Sequence, residues 1–207
     1  MPTCVIGDVV ASREFRDQRR LLDGLAAAVS ELGGARSAAP TTGDEFQAVY
    51  DDLPAAVMSL AALRLRLLED PPADAPVELR LGIGIGDITG DPDHAGAPGQ
   101  SGPGWWYARE ALDHLAGPRR AWPVLRWWVV ADGDVAAVRA TLVALDTISP
   151  RFDPLDVSLA RGLLVGETAR SLADEHGITP QSVGERLHAH GVYGWVRTLQ
   201  TLTGEPT

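Results

Sequence analysis

The chain predicts an α+β fold, an antiparallel sheet carrying helices on one face, followed by a small all-helical segment. Three observations lead there. Short branched apolar runs and helix-period segments follow the order strand, helix, two strands, helix, strand, helix, strand, helix. Val77–Ile88 alternates strictly, with Val77, Leu79, Leu81, Ile83 and Ile85 on one face and Glu78, Arg80 and three glycines on the other. From residue 149 onward only helical patterns remain, which divides the chain into 1–148 and 149–207.

The elements follow in order. Pro2–Val10 reads as a buried strand because Val5, Ile6, Val9 and Val10 form a short branched run. Arg13–Leu32 places Leu21, Leu22, Leu25, Val29 and Leu32 at helical spacing, with Ser12 as its N-cap and Gly33-Gly34 as its end. Ala35–Tyr50 reads as a hairpin turning at Gly43-Asp44. Pro54–Leu68 is a helix closed by Asp70-Pro71-Pro72. On the Val77–Ile88 strand, Gly82, Gly84 and Gly86 imply close approach of another backbone or a ligand. Gly90–Gly104 is a loop rich in Gly, Pro and Asp, Trp105–Leu115 a helix, Ala121–Ala131 a strand and Asp134–Leu145 a helix. Trp127 and Trp128 face opposite ways in their strand, so at least one lies in the core or an interface. Within the tail, Thr168–Leu187 has the apolar skeleton of a helix-turn-helix, with Gly177 at the turn and Leu172, Ile178, Val183 and Leu187 in a small core.

Composition narrows the function. The 207 residues are 45% apolar and 22% charged, enough for a sizeable core. A net charge of −10 disfavours broad gripping of nucleic acid or an anionic membrane. No apolar run approaches the ~20 residues of a membrane span, and the N-terminus lacks a basic region followed by an apolar one. With a single cysteine, Cys4, a cytoplasmic location is expected, and the apolar neighbours of Cys4 predict a buried thiol. All 18 basic residues are arginine, a bias of coding composition rather than of any one site.

Asp8 and Asp44 each sit at the polar end of a strand-like run. If those strands are neighbours, both carboxylates converge on one hard cation such as Mg²⁺, which takes oxygen ligands and arrives with phosphates. The alternative for Asp8 is a cap on the following turn. Glu45 points away from Asp44 if both lie in one strand, and Asp87 is a third carboxylate at the end of the glycine-rich strand. Arg13 fits either a phosphate or a solvated helix start; Arg109 fits the same site or a surface pair with Glu110 or Asp113. Trp105 and Trp106 suit packing against the sheet better than stacking on a base.

Ile6-Gly7-Asp8, Gly43-Asp44-Glu45-Phe46-Gln47, Arg80-Leu81-Gly82-Ile83-Gly84-Ile85-Gly86 and Gly102-Pro103-Gly104-Trp105-Trp106-Tyr107-Ala108-Arg109-Glu110-Ala111-Leu112 together resemble the SatD family over almost the whole chain. More distantly, the element order and the placement of Asp8, Gly43-Asp44 and Arg80–Gly84 resemble class III nucleotidyl cyclases and their GGDEF-domain relatives. That resemblance implies a nucleotidyl-cyclase-like, ferredoxin-like sheet and a homodimer. It implies Asp8 and Asp44 as metal ligands, the Val9 carbonyl as a third, and phosphate contact at the Val10, Ala11 and Ser12 amides, as helix N-termini provide. Pro40 stands near the place of the base-reading lysine and WWYAREAL offers no asparagine, so metal binding is better supported than cyclisation.

In the tail, residues 151–207 carry 5 Arg against 7 Asp plus Glu, poor for holding phosphates. The expected reading helix, Pro180–His190, offers Gln181, Ser182 and Arg186 for DNA, opposed by Glu185. His176, His188 and His190 lack the cysteines and spacing of a zinc site. The reading that results is a regulatory protein that binds a nucleotide or related phosphate ligand with Mg²⁺ and signals through the tail to DNA or a protein. A metal-dependent cyclase, phosphohydrolase or nucleotidyl transferase, and a non-catalytic interaction module, stand as alternatives.

Overall fold

The computed structural model describes residues 1–12, 15, 17–41, 43–70, 77–94, 99–117 and 125–204. Five strands, β1 (Thr3–Val9), β2 (Ala35–Pro40), β3 (Glu45–Tyr50), β4 (Leu79–Ile85) and β5 (Trp127–Ala131), form one sheet in the order β2-β3-β1-β4-β5. The first four pair antiparallel, but β5 runs parallel to β4, with Leu81 opposite Trp127 and Ile85 opposite Ala131. The sheet is therefore mixed rather than antiparallel. A parallel neighbour needs a long crossover, and helix α3 (Pro103–Ala116) lies within that connection.

Nor do the helices keep to one face. Along β1, Val5 and Val9 join the main core with α1 (Gln18–Leu32) and α2 (Leu53–Glu69), while Cys4 and Ile6 pack with Trp105, Ala108 and Leu112 of α3. Period-two alternation sends successive side chains to opposite faces, so a strand covered on both sides must be apolar throughout; all seven residues of β1 are buried. The glycines of β4 admit α3. A Cβ on Gly84 would stand 2.1 Å from the Gly104 carbonyl oxygen, and one on Gly82 would stand 2.3 Å from that of Ala108. The close approach implied by the sequence is thus that of a helix backbone.

Helix α1 begins at Gln18 rather than near Arg13, because its cap is Asp17, whose side chain accepts from the Arg20 amide at 3.0 Å. The hydroxyl of Ser12 is directed elsewhere, to Asp44. After β5, Trp127 is fully buried and its indole N–H donates to the Leu142 carbonyl of α4 (Ala136–Ile148) at 3.1 Å. On the other face Trp128 stacks on His114 of α3, with ring centres 4.2 Å apart.

The last four helices are α5 (Pro154–Leu164), α6 (Ala169–His176), α7 (Pro180–Ala189) and α8 (Val192–Thr203). Helices α5 and α8 pack on α2, and Val157, Leu187 and Trp195 belong to the same buried cluster as Val5, Leu60 and Trp127. Gly177, at φ +63°, ends α6 in the left-handed region that glycine adopts without strain. None of the described helices is long and apolar enough to cross a membrane.

Candidate functional site

Strand register builds a row of charge on the α3 face. Asp8 lies opposite Glu45 of β3 on one side and Arg80 of β4 on the other, so Glu45, Asp8 and Arg80 run side by side across three strands. The Arg80 fork closes on Asp8 with Nε to Oδ1 at 2.8 Å and Nη2 to Oδ2 at 2.5 Å. Arg109 reaches down from α3 and closes a second fork on Glu45, both contacts at 2.6 Å. Bidentate guanidinium–carboxylate pairs are the strongest and most directional of protein ion pairs.

Asp8 is only 7% exposed. Burial pushes its carboxyl above the ordinary carboxylate range; Arg80 opposes that rise, and the neighbouring Asp44 and Glu45 charges add to it. For Arg109, the hydrogen bond to Glu45 raises the guanidinium's proton affinity further. Asp44 follows the hairpin glycine Gly43, which has φ +83°, and its Oδ2 accepts from the Ser12 hydroxyl at 2.5 Å. The charge of Asp44 is felt at Asp8, where it adds to the rise that burial causes.

The other expected site residues fall as follows. Val9 and Val10 close β1: the Val9 amide donates to the Asp44 carbonyl at 3.4 Å and the Val10 amide to the Glu78 carbonyl at 2.9 Å. Both amides are thus spent on the backbone. Ala11 and Ser12 form a turn that precedes α1 by several residues, and Ala11 takes φ +56°, a left-handed conformation costly for a residue with a Cβ. Arg13 lies outside the described residues. Asp87 is exposed, and its carbonyl caps the start of α3 by accepting from the Gly104 amide at 3.1 Å. Glu45, expected to point away, stands in the row because it opposes Asp8 across the strands, whatever its relation to Asp44. The role of Arg80 was missed; its signal was its place on the glycine face of β4, the face that α3 covers. Cys4 is fully buried, and burial pushes its thiol up to about 12.

A hard cation suits this donor set: carboxylate oxygens from Asp8 and Asp44, with the Ser12 hydroxyl beside them. In the tail, Gln181 bonds Glu185 at 2.8 Å and the Ser182 amide bonds the Thr179 hydroxyl at 3.1 Å, both on the exposed start of α7. Arg186 turns inward to Asp153 and to the fully buried Asp156, at 2.8 Å from the latter. His190 reaches the other Asp156 oxygen, also at 2.8 Å. The sequence reading passed over Asp156; the Asp-x-x-Asp spacing of Asp153 and Asp156 ahead of an apolar run was the available signal, and it forms a capping box at the head of α5. The ligand atoms of Asp153, Asp156 and His190 lie within 4.8 Å of one another, but the Arg186 guanidinium already supplies the balancing charge.

No curated protein and no solved structure matches this chain. The model of the SatD family matches residues 3–204, nearly the full length, and the chain belongs to that family.

Proposed function

We propose that the protein is a regulatory member of the SatD family that binds a nucleotide or related phosphate compound with Mg²⁺ at the β1–β3–β4 strand ends and relays that state through its C-terminal helices. The observation that carries this reading is the pair of closed forks, Asp8–Arg80 and Glu45–Arg109, lying side by side with Asp44 as an additional carboxylate. A magnesium phosphate compound brings both charges needed to replace them. Its cation takes oxygens of Asp8 and Asp44, and its phosphate oxygens take the guanidinium forks of Arg80 and Arg109. Such an exchange keeps Asp8, Asp44, Arg80 and Arg109 partnered, while Glu45, on a side chain 23% exposed, turns to water. The left-handed Ala11 beside the site also supports the reading, since strained backbone gathers at ligand sites.

Helices α5 and α8 rest on α2, which follows β3 directly, giving ligand-linked movement of the strand ends a path to the tail. Gln181 and Ser182 are the exposed residues of α7 suited to reading DNA, while Arg186 is held by Asp153 and Asp156, which favours a protein partner over DNA. Turnover of the nucleotide is the competing reading, and nothing in the geometry favours it.

The test is thermal unfolding of wild type and Asp44→Ala with Mg²⁺ and each common nucleotide. A ligand at a hundred times its Kd adds about 2.7 kcal/mol, so one nucleotide should raise Tm only with Mg²⁺, and not in the variant. Absence of any shift across the nucleotides rejects the proposal and leaves the charge row a purely structural clamp.

A further inference from the structure

The face of the sheet that carries the charge row is unevenly covered. Helix α3 packs on β4, β5 and β1, whereas the helices that pack on β2 and β3 are α1 and α2, on the opposite face. Strand pairing sets Gln47 of β3 between Ile6 of β1 and Ala39 of β2, and cross-strand partners share a face. Ile6 packs with Trp105, Ala108 and Leu112 of α3, so Gln47 lies on the α3 side as well. Glu45 shares that side two residues earlier, about 7 Å away along the strand.

Two side chains beside the Glu45–Arg109 fork are left without partners. Gln47 is half-buried, and its amide makes no hydrogen bond among the described residues, yet it is not one of the polar atoms sealed from solvent. Trp106, expected from the sequence to pack on the sheet, is instead 65% exposed and makes no ring contact among the described residues. It precedes Arg109 by three residues, which makes the two surface neighbours on α3, with Cβ atoms about 5–6 Å apart. Arg109 is the residue that reaches Glu45. An open amide on the strand and an open indole on the helix therefore flank one fork of the charge row.

A nucleobase suits both groups. Its flat face stacks on an aromatic side chain whatever the base, and its edge offers the donor and acceptor that a glutamine amide meets as a pair. An inorganic phosphate or a sugar phosphate has no flat face for the indole. We infer that the ligand of the strand-end site is a nucleotide whose base lies over Gln47 and stacks on Trp106, with its phosphates on the Arg80 and Arg109 forks. This rests on the phosphate reading of that site and narrows the ligand to base-bearing compounds. The distance from Glu45 to Gln47 leaves room for one sugar between phosphate and base, and the small side chain of Ala39 beside Gln47 keeps the floor low.

Titration calorimetry of the full chain in Mg²⁺, with the four common nucleoside triphosphates and with inorganic tripolyphosphate, tests the inference. At least one nucleotide should bind about tenfold or more tightly than tripolyphosphate. Trp106→Ala, at an exposed position that the fold does not need, should weaken that nucleotide about 5- to 150-fold, the worth of one base–aromatic stack. Gln47→Ala should weaken it about two- to tenfold, the worth of one hydrogen bond. Neither variant should change the affinity for tripolyphosphate, which a general loss of structure would lower. Equal affinity of wild type for nucleotides and tripolyphosphate, or nucleotide binding untouched by Trp106→Ala, overturns the base site and leaves the phosphate reading standing. No saturable binding of any of these compounds to folded wild type at millimolar concentration overturns the phosphate reading and the base site with it.

Discussion

Arg80 offsets part of what burial does to Asp8. Burial raises the Asp8 carboxyl and the Arg80 fork lowers it, with burial the larger effect. Removing the guanidinium while keeping its stem, as in Arg80→Met, leaves a carboxylate at 7% exposure beside Asp44 and Glu45. A loss of about 3–5 kcal/mol is expected in urea unfolding at neutral pH, in line with orphaning one member of a buried pair. The pH dependence gives a sign to check. Asp8 titrates higher folded than unfolded, so its protonated form contributes stability that is complete below the ordinary aspartate value of 3.8 and is lost as pH rises through the elevated folded value. In Arg80→Met that folded value climbs further, so its deficit should shrink on acidification. Asp8→Asn should remove this part of the slope; a variant with the wild-type slope would show that another carboxyl carries it.

Helix α3 sets the site at the scale of elements. It lies against β4 so closely that no side chain fits between them, and from that position it delivers Arg109 to Glu45. Gly84→Ala puts a methyl 2.1 Å from the Gly104 carbonyl oxygen, so α3 must move. A cost of about 3 kcal/mol, the upper part of the usual overpacking range, should appear in thermal unfolding, whereas Gly133→Ala, with open space around its Cβ, should change little. In the tail, Asp156→Asn takes the charge from a fully buried acceptor of Arg186 and His190. It should cost about 2–3 kcal/mol and speed amide exchange in α7; wild-type exchange there would mean the hub is dispensable.

These elements also mark how far the sequence could be read. Strands announced themselves wherever alternation or branched runs were clean, as in Val77–Ile88, and the hairpin turn at Gly43-Asp44 lies between β2 and β3. The direction of β5 was not legible, because it follows from where α3 crosses the sheet rather than from any property of Trp127–Ala131. Glycine spacing on β4 signalled a close approach but did not identify α3. The start of α1 was misplaced because Ser12 and Asp17 are both good caps and only tertiary contact assigns Ser12 to Asp44. At the site, Asp8 and Asp44 were visible as polar ends of apolar strands. The Arg80 fork and the place of Glu45 depend on cross-strand register, which pairs residues 72 and 37 positions apart from Asp8 and leaves no local pattern.

For the whole molecule, the continuity of the core decides how sheet and tail respond to one another. Val5, Leu60 and Trp127 from the sheet side and Val157, Leu187 and Trp195 from the tail belong to one buried cluster, and the Arg64–Asp146 pair ties α2 to α4 inside it. A tail that folded separately would need a core of its own, yet Leu187 and Val192 are buried in the same cluster as α2. Unfolding should therefore be a single transition, with far-ultraviolet circular dichroism and tryptophan fluorescence giving one midpoint. Leu187→Ala, at 4% exposure, should lower that shared midpoint by the equivalent of about 2–5 kcal/mol, as a large-to-small change in a packed core does. Two separated transitions, with only the lower one moved by Leu187→Ala, would instead make the tail an independent unit. Ligand binding at the strand ends would then have no packed path to α7 and α8. Coupled unfolding is thus a requirement of any relay from the charge row to the tail, and it can be measured before a ligand is known.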